Sequence, residues 1–212
     1  MKQTILFTAG GFGAAVGARV QALASASAPV HVTPLPHDRD TLNAFVRDAA
    51  SIAVAAWRPY VRTFELIDDL CFAAGVPWTL VEIHGQRLSC GPVVRPGTGP
   101  CYHCYHKRWA SHHPAPEREM VIERAYERDP LRGPPGFIGP LVEIAAAALA
   151  EDILAPAEQG GRLRLVDVLT GAVLETAVLG VHACPRCGLP NEGPTGARFV
   201  RHLVSALEGS LA

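Results

Sequence analysis

The stretch TILFTAGGFGAAVGARV, residues 4–20, opens on a short apolar run without alternation. It crosses glycines at 10, 11 and 13, then resumes with apolar residues at helical spacing. A short apolar run stopped by glycine reads as a strand buried on both faces. Val16, Val20 and Leu23 then mark one side of a helix over residues 14–26. Strand, glycines and helix together form the opening unit of a parallel α/β sheet.

Working outward, the alternation repeats. PVHVTPLP (29–36) is a strand ended by prolines, and Asp40 is placed to cap a helix reaching about residue 50. SIAVAA (51–56) is a third buried strand, residues 61–74 form a helix with Gly75 at its C-cap, and residues 77–84 form a fourth strand. The order β-α-β-α-β-α-β predicts a Rossmann-like, mostly parallel sheet with helices on both faces. Beyond it the pattern changes. Residues 88–94 suggest an antiparallel strand, 137–158 a long helix, and RLRLVDVL with AVLETAVLG a hairpin turning at Thr170 and Gly171. Residues 197–207 suggest a last amphipathic helix. The intervening segment 105–137 is polar and proline-punctuated, with a helix over 117–127, and is expected to be the most mobile part of the chain. The whole, 1–212, reads as a single domain: a Rossmann-like half, 1–95, and a second half, 96–212, holding the crossover segment, hairpin and a cysteine knuckle.

Composition narrows the function classes. With 19 basic and 20 acidic residues in 212, the net charge of −1 offers no basic face for nucleic acid. Hydrophobic residues at 49% and charged residues at 18% argue for a packed core, not disorder. The start MKQTILFTAGGFG lacks the layout of a secretory signal, and the apolar stretch 137–154 carries Pro140, Glu143, Glu151 and Asp152, so no membrane span is expected. A cytoplasmic location follows, where cysteines serve as thiols or metal ligands.

Four of the six cysteines form two Cys-x-x-Cys pairs, Cys101/Cys104 in CYHC and Cys184/Cys187 in CPRC, separated by 79 residues. Two such pairs supply the four thiolates of a tetrahedral structural zinc site, which would cross-link distant parts of the chain. Gly188 would help the second turn close. Nearby His103, His106 and His182 are substitutes that a complete set of four cysteines does not need. Cys71 and Cys90 read as small core residues.

Gly10, Gly11 and Gly13 stand where a nucleotide phosphate rests on a helix N-terminus. The full G-x-G-x-x-G is not met, since Val16 takes the last glycine position and Gly17 follows it. Tight strand-to-helix packing explains the same glycines without a ligand. Past the second strand only Asp38 is near to hold a ribose, and the third strand ends AAWRP with no carboxylate. Arg58 there is open to an anion contact or a structural role.

TAGGFG (8–13), AGVPW (74–78), GPVVRPGTGPCYHC (91–104) and VLGVHACPRCG (178–188) together make the chain similar to the E1-like, or ThiF-like, superfamily. Most narrowly it resembles the E1-like partner proteins of azole-forming ribosomal peptide pathways, the ocin-ThiF-like or bacteriocin cyclodehydratase group. The resemblance spans nearly the whole chain. It implies an accessory scaffold that binds a precursor peptide or a YcaO-type modifying enzyme, or both, in homo- or hetero-oligomers. Departures bear on activity: Thr8 stands at the family's first glycine, Ala56 and Trp57 replace the acid after the third strand, and no cysteine lies between Cys104 and Cys184. The expectation is therefore structural zinc, no ATP chemistry by the chain alone, and no catalytic residue. The alternative is an ATP-dependent adenylating enzyme with a degenerate nucleotide site. Family members often carry an N-terminal winged-helix leader-recognition domain, for which this chain has no room. Leader recognition is then expected on another protein or another surface. The crossover segment is the expected interface, with Trp109 as anchor and Arg108 and Arg118 as rim charges.

Overall fold

The computed structural model describes residues 2–24, 29–129, 131–134, 136–154, 160–182 and 184–187. The helix expected at 197–207 and Gly188 lie outside them. Among the described residues one seven-stranded sheet carries the order β2-β1-β3-β4-β5-β6-β7. Its parallel part is β1 (Gln3–Ala9), β2 (Val30–Pro34), β3 (Ala49–Ala56) and β4 (Trp78–His84). The antiparallel part is β5 (Arg87–Cys90), β6 (Arg162–Asp167) and β7 (Val173–Ala177). The predicted α/β class, with its antiparallel extension, is the observed one.

The apolar runs are explained by cover on both faces. Against one face lie α2 (Arg39–Asp48), α3 (Val61–Ala74) and α4 (Tyr102–His112), burying Phe7, Val54, Phe64, Leu80 and Tyr102. Against the other lie α1 (Gly10–Leu23) and α6 (Gly139–Leu154), burying Leu6, Val16, Ala53, Val81 and Leu149. Val16 and Val20 are buried as their spacing predicts, while Leu23 at the end of α1 is exposed. Cys71 and Cys90 are core residues, and burial pushes the Cys90 thiol up to about 12.

Several boundaries differ from expectation for local reasons. Asp38, not Asp40, caps α2, its Oδ1 accepting the Thr41 N–H at 2.8 Å. The strand expected over 88–94 stops at Cys90, and Val94 keeps only an isolated bridge to Trp78. Gly75 does close α3, at φ 67°, a left-handed C-cap that glycine adopts without a Cβ penalty. In the crossover segment the helix expected over 117–127 is α5 (Pro116–Arg128), and α4, which was not expected, precedes it. Among the described residues no helix is long and apolar enough to cross a membrane.

Candidate functional site

In the strand order, β1 lies between β2 and β3, the switch point where open α/β sheets form a ligand crevice. Gly10 begins α1 directly after β1, so the glycines lie in the first turn of the helix and not in a preceding loop. Their surroundings are filled by the chain itself. A methyl group on Gly10 would lie 2.5 Å from the Trp57 ring, and one on Gly133 would lie 2.5 Å from the far edge of the same ring. The indole is thus held between the two glycines. The Trp57 backbone N–H reaches Ala9 O at 3.2 Å, and its ring Nε1 donates to Tyr60 Oη at 2.7 Å. Phe137 packs edge-to-face on Phe12 at 5.6 Å and lies beside Gly11. Gly13 has a different reason: a Cβ there would collide with the Ala55 carbonyl, so α1 can approach β3 only without one. Arg58 is buried with its guanidinium 4.0 Å from the Tyr60 ring centre and 4.7 Å from that of Tyr126, donating to the Pro59 and Tyr126 carbonyls. Burial lowers its pKa. It ties the end of β3 to α5.

The second place of interest is the start of α4. Cys101 is its N-cap and Cys104 lies in its first turn, so CYHC is a helix start and not a free knuckle. Cys184 and Cys187 arrive on a turn in which the Cys184 N–H bonds Val181 O at 3.1 Å. The four sulfurs all lie within 4.8 Å of one another. Cys101 Sγ is 3.7, 3.8 and 3.6 Å from the sulfurs of Cys104, Cys184 and Cys187, and Cys104 is 3.2 Å from Cys187. A tetrahedron of thiolates at the usual Zn–S length of about 2.3 Å has edges of about 3.8 Å. All six cysteines are free of disulfides, and the four clustered sulfurs can hold a metal ion. Backbone N–H groups already point at two of them, Cys101 N to Cys187 Sγ at 3.3 Å and Val181 N to Cys104 Sγ at 3.2 Å. The thiols differ in acidity. Burial raises Cys101 and pushes Cys187 up to about 12; at Cys184 burial also opposes ionisation, but the N–H groups of Cys187 and Arg186 outweigh it and bring the thiol down to about 6.

Around this cluster sits a polar shell that sequence reasoning missed. Asp68 of α3, fully buried, accepts from Trp78 Nε1 at 3.0 Å, Tyr102 N at 3.2 Å and Arg186 at 2.7 Å. Arg186, inside CPRC, also pairs with Asp69. The signal was an acid on the apolar stripe of α3, beside Phe64, Ile67 and Cys71. The nearby histidines face carboxylates instead: His103 sits 3.6 Å from Glu65, and His106 sits 3.3 Å from Glu123.

The third place is a cavity of about 900 Å³ between α4, α5 and the face of β5–β7. Trp109, Arg108 and Arg118, expected as one interface, all line it. Arg108 is not a free rim charge, because it donates to the Leu179 and Gly180 carbonyls at 2.5 and 2.9 Å. Close beneath, Glu82 is buried with Oε2 lacking a hydrogen-bond partner among the described residues. Burial pushes its carboxyl up to about 8.

No protein-family model matches the chain, and no curated protein matches it. Solved structures do. The heterocyclase TruD superposes with a TM-score of 0.59 at 19% identity, over 88% of this chain and 28% of TruD. E. coli MccB superposes with 0.61 at 16% identity, over 91% of this chain and 67% of MccB, and has also been solved with AMPCPP and MccA. PaaA gives 0.56 at 13% identity, over 84% of this chain and 73% of PaaA. The chain thus spans little more than a quarter of the heterocyclase's length. What it shares with all three at these identities is the fold.

Proposed function

We propose that this chain is a zinc-stapled accessory scaffold in the biosynthesis of a ribosomally made, modified peptide. It binds the precursor peptide, a YcaO-type modifying enzyme, or both. Residues 1–212 act as one domain, in which Cys101, Cys104, Cys184 and Cys187 hold a structural zinc. The zinc joins the start of α4 to the chain beyond β7. The four thiolates leave no open coordination position, so the metal supplies folding free energy and no chemistry.

The observation that carries the non-catalytic reading is the Trp57 ring between Gly10 and Gly133. A phosphate seated on the N-terminus of α1 would need that volume, and Phe137 stands beside Gly11 at the same end. The similarity to a heterocyclase and to MccB supports the modified-peptide setting, although it is a likeness of fold. The competing reading, an adenylating enzyme, draws on the MccB complex with AMPCPP and requires Trp57 to leave. The test is ATP–pyrophosphate exchange and AMP formation by the metal-loaded chain with a candidate precursor peptide, with and without a YcaO-type enzyme. The scaffold reading expects turnover only in the mixture. AMP formed by the chain alone, and lost in Gly10→Val, would overturn it.

A further inference from the structure

We propose that the cavity between α4, α5 and the β5–β7 face is a docking groove for an extended, carboxylate-bearing peptide segment. The inference deepens the scaffold reading and rests on it. The volume of about 900 Å³ is enough for several side chains. Its floor is apolar, from Leu163 and Leu165 of β6. Its anchor is Trp109, whose indole stacks on His84 at 4.7 Å and lies against His113 at 4.8 Å, so that the ring is held before any ligand arrives. Fixed aromatic side chains of this kind lose little entropy on binding.

Charge selects the occupant. Two acids line the groove, and both are already engaged. Asp167 caps the hairpin turn, accepting from Leu169 N at 3.0 Å and Thr170 N at 2.8 Å. Glu119 is bonded by His84 at 3.0 Å and by Arg118 at 3.2 Å. Three arginines, Arg87, Arg108 and Arg118, stand against those two acids, so the lining carries a net charge of +1 although the chain as a whole carries −1. Partner carboxylates are complementary to that lining.

Geometry selects an extended form. β7 is the last strand of the sheet, and among the described residues it has one strand neighbour, β6. All five of its residues are exposed. Its open main-chain edge, beside the groove, is a template for an added strand. The same strand of a second copy is a poor occupant, because VLETA brings one carboxylate, Glu175, which already lies 3.8 Å from Arg164.

Fluorescence anisotropy tests this on the metal-loaded chain, with a labelled peptide of alternating Glu and Val and its Lys–Val counterpart as probes. The Glu peptide should bind and the Lys peptide should not. Arg87→Glu and Trp109→Ala should each weaken binding about tenfold or more. Because Arg87 is exposed, its variant should keep metal content and circular dichroism, which separates lost binding from lost fold. Failure of the Glu peptide to bind, equal binding of both peptides, or unchanged binding in Arg87→Glu would overturn the groove. So would a dimer that dissociates on Arg87→Glu. If the groove fails while the chain still stimulates the modifying enzyme, the scaffold reading stands without it; AMP formation by the chain alone sinks that reading separately.

Discussion

The starts of α1 and α4 are both helix N-termini, and they have been put to opposite uses. At α1 the chain supplies glycines and no acid, and an indole and a phenyl ring from elsewhere close the space. At α4 it supplies Cys101 and Cys104, and a distant turn brings two more sulfurs. The field of a helix N-terminus favours anions at both. What decides the occupant is the side chain delivered by another element: Trp57 from the end of β3 in one case, Cys184 and Cys187 in the other. A glycine-rich helix start is therefore not a nucleotide site until its neighbours are known.

The comparison breaks most severely at the sulfurs. Cys101→Ser, or exhaustive chelation, should remove the metal and most of the soluble folded protein, because apparent binding free energies at structural zinc sites reach about 10 kcal/mol. Elemental analysis and thermal melting report both. Unchanged metal content and melting would remove the cluster from the account.

Asp68 is the next largest. Asp68→Ala leaves the Arg186 guanidinium, the Trp78 indole N–H and the Tyr102 N–H without their common acceptor. Breaking a buried pair from one side costs about 3–5 kcal/mol. Metal retention under a competing chelator should fall with stability, since Arg186 lies between two of the ligands. A loss of stability with metal affinity untouched would show that the shell does not support the site.

Glu82 is the counter-example, a buried carboxyl without such donors. In the fold it keeps its proton up to about pH 8, whereas its ordinary value is 4.5. Between those values the folded state binds more protons than the unfolded one, so this group makes stability fall as pH rises from 4.5 to 8. Glu82→Gln should remove that fall and gain on the order of 4 kcal/mol at pH 8, with little change at pH 4.5. A parallel pH dependence in both proteins, by chemical denaturation, would contradict the assignment.

The smallest effects separate the glycines. Gly13→Ala pushes a methyl against the Ala55 carbonyl and should cost on the order of 2 kcal/mol. Gly11→Ala meets only Phe137, at 3.6 Å, and should stay within about 0.5 kcal/mol of the parent in a melting comparison. If both glycines were equally intolerant, packing would not be the reason for them.

How much of this was legible in the sequence follows from what local residues determine. The parallel strands are apolar throughout because both faces are covered, so their order could be read directly. α4 was passed over: Tyr102, Tyr105 and Trp109 fall at helical spacing, but histidines and bases interrupt them, and the helix is held by burial of Tyr102, Cys104 and Tyr105 in the core. The sulfur cluster was legible from spacing, but its shell was not, since Asp68 and Arg186 meet across 118 residues. Trp57 was visible as a replacement at the end of β3, yet its place between Gly10 and Gly133 depends on a segment far along the chain. The groove joins α4 and α5 to β5–β7, and no local pattern records that meeting.

Native mass spectrometry of the purified chain in the presence of magnesium and ATP measures both helix N-termini at once. The account predicts a mass equal to the chain plus one zinc ion, unchanged by the nucleotide, with the zinc lost in Cys101→Ser. A metal-free chain, or a saturable nucleotide adduct on the zinc-loaded protein, would contradict it.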